Sequence, residues 1–441
     1  MNHQQWIRHI TGGGLDGTLL RLYPAEQLSA QRRRYCGVID QFTALYPSPA
    51  DRDIWLFSAP GRVELGGNHT DHNHGRVLAA AIDLDIIAAA AVNDAQTNGH
   101  PVIRVTSDSY PQNVVTLDSL DPRPAERGRS AGMIRGVAAG FTAAGCPPAD
   151  FDTYTTATVL KGSGLSSSAA FEVLIGTMLN QLFAGGAVPP LTVARIAQRA
   201  ENEYFGKPSG LMDQAASAIG AAVMLDFADP KTPAAAPLSI DFAAHGFALC
   251  VVDTGGSHAD LTAEYAAIPA EMRGVAAALG HTVLRECDPA AFYTALPQLR
   301  RSCGDRAVLR AAHFFAENRR VAEQAACLRN GDIAGFIRHM IDSGRSSYEL
   351  LQNAYPLSKP REQGLSLALL LAEQLLCGAG GWRLHGGGFG GTTLNLVPFD
   401  RLERFRLAME NLFGTGCCHV LKLRPVGGIR VASDEWRVIA K

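Results

Sequence analysis

The fold is decided by the segment Gly162-Ser163-Gly164-Leu165-Ser166-Ser167-Ser168-Ala169-Ala170. It joins a strand-like run at 153–160 to a helix-like run that begins near Ser168. Free backbone N–H groups at a helix start attract phosphate, and glycines let the main chain approach an anion closely. Serine hydroxyls can reach phosphate oxygens or a bound Mg²⁺. The segment alone is equally consistent with a flexible Gly/Ser turn, so other segments must decide between the two.

Composition narrows the classes of protein that the chain can belong to. It has 441 residues, 47% of them hydrophobic, and a formal net charge of -2, which predicts two or three folding units. Basic residues are scattered, so we expect no nucleic-acid partner. Apolar runs are too short for a membrane span, so we expect no membrane partner. Nine cysteines without a Cys-x-x-Cys pair, and no secretory leader at the start, favour a cytoplasmic protein.

The pattern of apolar residues divides the chain into a helical extension at 1–50, a mixed unit at 51–240 and a second unit at 241–441. Strand-like and helix-like runs mix irregularly up to a proline-rich segment at 230–246, which is our candidate boundary. Long alanine- and leucine-rich helices dominate the second unit. Mixed strands and helices without strict alternation predict an α+β fold.

Three further segments concentrate groups that could carry chemistry. The segment 58–75 follows a predicted strand and is expected to be a polar loop, and its histidines suggest a zinc site whose spacing fits no familiar arrangement. The segment 201–214 places Asp213 on the first turn of an apolar helix, where it either interacts with the helix dipole or performs chemistry. The segment 385–393 is a glycine-rich turn followed by a strand, which disfavours a dinucleotide site.

In chain order the four segments lie at 58–75, 162–170, 201–214 and 385–393. Together and in this order they resemble the galactokinase branch of the GHMP small-molecule kinases. The resemblance implies a two-domain α+β fold, in which an N-terminal α+β domain and a ferredoxin-like C-terminal domain enclose the active site in the cleft between them. It also implies an ATP-dependent sugar 1-kinase that uses Mg²⁺ and transfers the γ-phosphate of ATP to the anomeric hydroxyl of galactose or a related sugar. We expect a monomer or a weak homodimer.

The resemblance assigns roles to individual residues. Asp213 matches the catalytic aspartate, and Arg62 matches the arginine beside the reacting hydroxyl, which would lower the pKa of that carboxyl. Ser168 and Glu201 match the residues that hold Mg²⁺. The expected sugar contacts are Asn68, His69, Asp71, Gly210 and Tyr265. The expected phosphate loop contains Gly162, Ser163, Gly164, Leu165, Ser166, Ser167, Ser168 and Ala169, and the substrate-side glycine turn contains Gly387, Gly388 and Gly390.

The chain departs from the family at four positions. Asn68 stands where galactokinases carry glutamate, facing C6 of the sugar, which leaves open a C6-modified sugar such as galacturonate, a pentose or an amino sugar. The aromatic residue that usually stacks on adenine falls near Ser130, where this chain has no tryptophan. His385 replaces a common threonine before the glycine turn. Leu160, with Lys161 beside it, replaces the proline that normally enters the phosphate loop.

A function of another class is also consistent with the resemblance, namely a non-catalytic sensor that binds galactose and ATP. Sensors of this kind can have a shortened phosphate loop. Here the loop is complete through Ala170, and Asp213 and Arg62 are both present. The sequence therefore favours catalysis.

Overall fold

The computed structural model describes residues 1–47, 52–93, 100–108, 110–159, 164–256 and 261–432. Within these ranges the chain forms two β-sheets surrounded by helices. The strands are β1 (Trp55–Gly66), β2 (Arg76–Val92), β3 (Val102–Ser107), β4 (Asn113–Thr116), β5 (Phe151–Ala157), β6 (Ala222–Asp226), β7 (Ala234–Leu238), β8 (Phe247–Asp253), β9 (Gly381–His385), β10 (Thr392–Pro398), β11 (Cys418–Leu421) and β12 (Ile429–Val431). The helices are α1 (His3–Thr11), α2 (Asp16–Leu22), α3 (Leu28–Leu45), α4 (Ser130–Ala143), α5 (Ser167–Phe183), α6 (Pro190–Arg199), α7 (Met212–Ile219), α8 (Thr262–Ala278), α9 (Pro289–Thr294), α10 (Leu296–Cys303), α11 (Asp305–Arg329), α12 (Ile333–Ser346), α13 (Gly364–Leu376) and α14 (Phe399–Phe413).

The first sheet has the strand order β12-β1-β2-β5-β3-β4, with β6 beside β2 and β7 beside β6. Strand β2 is long enough to pair with β6 through one half and with β5 through the other. Its side chains alternate between two cores, because successive residues of a strand point to opposite faces. Ala88 and Ala90 face the main core with helices α4 to α7, whereas Ile87 and Ala89 face helices α1 to α3.

The second sheet is antiparallel, with the strand order β11-β8-β10-β9. One face packs on α13 and α14, and the other joins the main core through Val251 and Leu394. The two sheets therefore share a core, and the turn between β9 and β10 reaches the end of β1. Strand β12 lies in the first sheet although it belongs to the expected second unit. The boundaries of the units stay a prediction.

Segment 58–66 differs from the sequence-based expectation of a loop, because β1 continues through it to Gly66. Proline and glycine in this segment indicated a break in the strand. In the structure β1 stays paired with β2 through these residues. The register of the pairing shifts at two irregularities, between Pro60 and Arg62 and between Glu64 and Gly66. Such bulges re-aim side chains beside them, and they are frequent next to active sites. Strand β7 likewise occupies part of the expected linker at 230–246.

Candidate functional site

Arg62 and Asp213 form an ion pair although 150 residues of chain lie between them. Arg62 Nε donates to Asp213 Oδ1 at 2.8 Å and Arg62 Nη2 donates to Asp213 Oδ2 at 2.9 Å, so the pair is bidentate. Asp213 lies in the first turn of α7, as the sequence predicted. Arg62 is buried, whereas 32% of the Asp213 side chain is exposed. The arginine is thus a fixed support, and the carboxylate is open to a ligand.

The charge state of Asp213 follows from its neighbours. The partial burial of Asp213 raises the pKa of its carboxyl, but the charge of Arg62 and hydrogen bonds from Arg62 and Ser166 outweigh this effect and hold the pKa below the usual 3.8. Ser166 Oγ donates directly to Asp213 Oδ2. Asp213 is therefore ionised at neutral pH and is a weak base.

The described part of the expected phosphate loop, from Gly164 to the start of α5 at Ser167, lies against Arg62. The Arg62 backbone N–H donates to the Leu165 carbonyl at 3.2 Å, and Arg62 Nη1 donates to the Gly164 carbonyl. Ser166 precedes the helix with φ of 60°, a left-handed conformation that is uncommon for serine. This conformation turns its hydroxyl towards Asp213. Gly162, Ser163, Leu160 and Lys161 lie outside the described residues.

Ser168 and Glu201 meet on the other side of the α5 start. Ser168 Oγ donates to Glu201 Oε1 at 3.1 Å, and Lys207 Nζ donates to the same oxygen at 2.9 Å. Glu201 is 2% exposed. Gln214, the residue after Asp213, donates through Nε2 to Glu201 Oε2 at 2.8 Å and to Glu172 at 3.1 Å. A hydroxyl beside a carboxylate is the oxygen donor set that suits Mg²⁺, which keeps several waters and takes phosphate oxygens.

Two of the expected sugar contacts, Asp71 and Gly210, lie against each other. A Cβ on Gly210 would lie 1.9 Å from Asp71 Oδ2, so the backbone there approaches the carboxylate as only glycine allows. Burial raises the pKa of Asp71 to about 6, and the negative charge of Asp213 adds to that rise. The hydrogen bond from the His72 backbone N–H opposes it.

Asn68 is buried, with 1% of its surface exposed, and the protein satisfies its amide. Its Nδ2 donates to Glu64 Oε1 at 3.0 Å and to the Gly386 carbonyl, while its Oδ1 accepts from Asn353 Nδ2 at 2.8 Å. Arg383 Nη2 also donates to Glu64 Oε1, at 2.7 Å. A contact between Asn68 and a sugar would require one of these bonds to open, and its role in sugar binding stays a prediction.

His69 and Tyr265 both donate to carbonyls of the glycine turn. His69 Nε2 lies 3.0 Å from the Gly387 oxygen, and the Tyr265 hydroxyl lies 2.7 Å from the Gly388 oxygen. Gly388 has φ of 81°, and a Cβ there would lie 2.2 Å from the Asn353 carbonyl oxygen. The glycine turn, with Gly387, Gly388 and Gly390 between β9 and β10, thus lies next to segment 58–75.

Sequence reasoning missed several residues of this site. Glu64 and Lys207 stand inside the quoted segments, but their contacts depend on pairing across the fold. Asn353 lies in a connection that carries no motif, so no signal in the sequence could have found it. The zinc alternative gains no support, because the described residues contain no group of three or more His, Cys, Asp or Glu side chains arranged to hold a metal ion.

The chain is similar to two known protein families and to several known sequences. The family described as the galactokinase galactose-binding signature matches residues 40–92, and the GHMP kinase N-terminal domain matches residues 133–221. A galactokinase of Streptomyces coelicolor is 33% identical over 396 residues, which cover 89% of this chain and 97% of the relative. A galactokinase of Homo sapiens is 34% identical over 347 residues, covering 77% of this chain and 83% of the relative.

Solved structures show the same fold. Lactococcus lactis galactokinase complexed with galactose superposes with a TM-score of 0.75 at 23% identity, over 90% of this chain and 100% of that one. A mevalonate kinase superposes with a TM-score of 0.59 at 14% identity, over 83% of this chain and 98% of that one. The α+β fold expected from the sequence is confirmed. Helices long and apolar enough to cross a membrane are absent from the described ranges.

Proposed function

This chain belongs to the galactokinase family of the GHMP kinases and is a sugar kinase, and we propose that it transfers the γ-phosphate of ATP to the anomeric hydroxyl of galactose. The observation that carries the proposal is the bidentate pair of Arg62 and Asp213, which lies beside the N-terminus of α5. A helix start binds phosphate, and the exposed carboxylate next to it can orient a hydroxyl.

The reaction requires little base strength. The sugar O1 attacks the γ-phosphorus, the bond from that phosphorus to the β–γ bridging oxygen breaks, and ADP leaves. Asp213 orients O1 and accepts its proton, which the hydroxyl releases late because the transition state is loose. Its low pKa is compatible with this role. Arg62 holds the carboxylate in place and adds positive charge near the transferring phosphoryl group.

Mg²⁺ is part of the proposal, with Ser168 and Glu201 as its protein ligands. The metal would supply charge neutralisation between the β- and γ-phosphates. Glu201 is suited to this role because Gln214 orients one of its oxygens, while the other faces the Ser168 hydroxyl. The exposed Lys207 donates to the same oxygen and adds positive charge beside the Glu201 carboxylate.

Glu201→Gln should raise the Mg²⁺ concentration that gives half-maximal activity by at least about tenfold. Mutation of residues that only hydrogen-bond to a metal ligand already lowers metal affinity by about 10–100-fold, and loss of a ligand itself should have at least the lower end of this effect. Binding of Mn²⁺ with ADP, followed by electron paramagnetic resonance, should weaken equally. Glu203→Gln is the matched control, since Glu203 is 52% exposed and pairs with Arg199. Equal Mn²⁺ affinity in the two variants would contradict the metal assignment.

The pKa of Asp71 predicts how sugar binding depends on pH. Its carboxyl titrates at about 6, so at pH 5 about nine tenths of it is protonated and has lost an acceptor for sugar hydroxyls. The kcat/KM for the sugar should fall about tenfold from pH 7 to pH 5. Asp213 stays ionised over this range, so kcat should change little. A flat kcat/KM profile in the wild type, or the same midpoint in Asp71→Asn, would contradict this prediction.

The substrate is tested by measuring ADP release with galactose, galacturonate, an amino sugar and a pentose. We expect galactose to be the best substrate. A clear preference for galacturonate or a pentose would support the alternative based on Asn68. Binding of sugar and ATP without ADP release from any sugar would instead support a sensor. A cytoplasmic location and a monomeric or weakly dimeric state stay predictions.

A further inference from the structure

We infer that His385 is a positioning residue, which joins the glycine turn to β1 and thereby fixes Arg62 and Asp213 against the phosphate loop. The inference rests on the proposed kinase function and adds a residue to it. His385 ends β9 and is 2% exposed. It is a histidine at a position where the family commonly has threonine.

The two ring nitrogens of His385 have distinct partners. Nε2 lies 3.0 Å from the backbone nitrogen of Glu64, and Nδ1 lies 2.9 Å from Thr392 Oγ1. A backbone N–H only donates, so Nε2 must be the acceptor. Nδ1 therefore carries the proton and donates to Thr392. This arrangement selects one neutral tautomer, and the imidazole connects the second sheet to β1 of the first.

The same imidazole lies where β1, the glycine turn and the expected phosphate loop meet. Glu64 is two residues after Arg62 in β1, so the bond to its backbone acts on the strand that carries the arginine. A Cβ on Gly164 would lie 3.5 Å from His385 Nδ1 and 3.0 Å from Thr392 Oγ1, which places the phosphate loop directly against this pair. The Gly164 carbonyl in turn accepts from Arg62.

The surrounding charges keep His385 neutral. Burial and the positive charges of Arg62 and Arg383 hold the pKa of the imidazole well below 6.5, although Asp213 opposes them. A neutral ring preserves the acceptor at Nε2. It also leaves Arg62 as the cation that pairs with Asp213, because a second positive charge there would compete for the same carboxylate.

Two variants of His385 test the contributions of its two ring nitrogens separately. Glutamine places its oxygen near the position of Nε2 and can accept from the Glu64 N–H, whereas asparagine reaches only the position of Nδ1. We expect His385→Gln to keep kcat within about threefold of the wild type. His385→Asn leaves the Glu64 N–H unpaired and should lower kcat by about 10–100-fold, the scale of a 1 Å misplacement, with smaller changes in KM. Thermal unfolding checks that both variants are folded.

The outcomes distinguish this inference from the proposed function. A wild type without kinase activity would overturn the function itself. An active wild type whose folded His385→Asn variant keeps full kcat, or whose Gln and Asn variants lose kcat equally, would overturn only the role of His385. If His385→Asn does not fold, ¹⁵N spectra of labelled histidine in the wild type decide: the resonances missing from His385→Gln should show a protonated Nδ1 and an unprotonated Nε2. The opposite tautomer would overturn the inference.

Discussion

Asp213→Asn should lower kcat by about 10²–10⁴, the range expected when a general acid–base group is lost. The amide keeps the size of the carboxylate but cannot accept the proton of the sugar O1. It also loses the charge that pairs with Arg62, so Arg62 Nε and Nη2 would face a neutral group. Initial rates at saturating sugar and ATP measure the effect, and KM for ATP should change much less than kcat.

Asp16→Asn is the matched control for this experiment. Asp16 accepts from Arg32 Nε and Nη2 in the same bidentate manner, and 29% of its side chain is exposed, close to the 32% of Asp213. It lies in α2, on the opposite face of the first sheet from α7. We expect Asp16→Asn to change kcat by less than about twofold. A folded Asp213→Asn variant with near wild-type kcat would remove Asp213 from the mechanism.

Arg62→Lys should lower kcat by about 10²–10³, although the charge is conserved. Lysine is a point charge without the planar fork of arginine, so it cannot bind both oxygens of Asp213 and the Gly164 carbonyl at the same time. A carboxylate displaced by about 1 Å costs about 10² in rate, and arginines that stabilise the transferring phosphoryl group contribute up to 10³–10⁵.

Arg32→Lys changes the corresponding partner in the control pair and should leave kcat unchanged. Of the Arg32 side chain, 31% is exposed, and within the described residues its guanidinium donates to the Asp16 carboxylate, far from the site. The comparison separates catalysis from a general effect of replacing a bidentate arginine. An Arg62→Lys variant with the kcat of the control would show that the fork geometry is not needed.

Local sequence signals predicted the helices and loops of the site but not how they are arranged in space. The first turn of α7 and the start of α5 were predicted within one residue, because an acid before an apolar run and a Gly/Ser loop before a helix are local patterns. The continuation of β1 through Gly66 was missed, since tertiary pairing with β2 overrides the local effect of glycine and proline. The return of β12 to the first sheet depends on the whole fold and leaves no local pattern.

The side chains of the site also include some that could be predicted from the sequence and others whose contacts could not. The family resemblance predicted roles for Asp213, Arg62, Ser168 and Glu201. The structure places them in two adjoining pairs at the start of α5, and the roles stay predictions. It could not predict that Asn68 is engaged by Glu64 and Asn353, because these partners come from a strand and a distant connection. Such contacts are set by packing between elements rather than by spacing in the chain.

A crystal structure of the wild type with galactose, Mg²⁺ and a non-hydrolysable ATP analogue would test the central claim most directly. The account predicts the γ-phosphate at the N-terminus of α5, next to residues 164–168, and the sugar O1 within about 3 Å of an Asp213 carboxylate oxygen. A nucleotide bound away from that helix start, or a sugar that presents a different hydroxyl to Asp213, would contradict it.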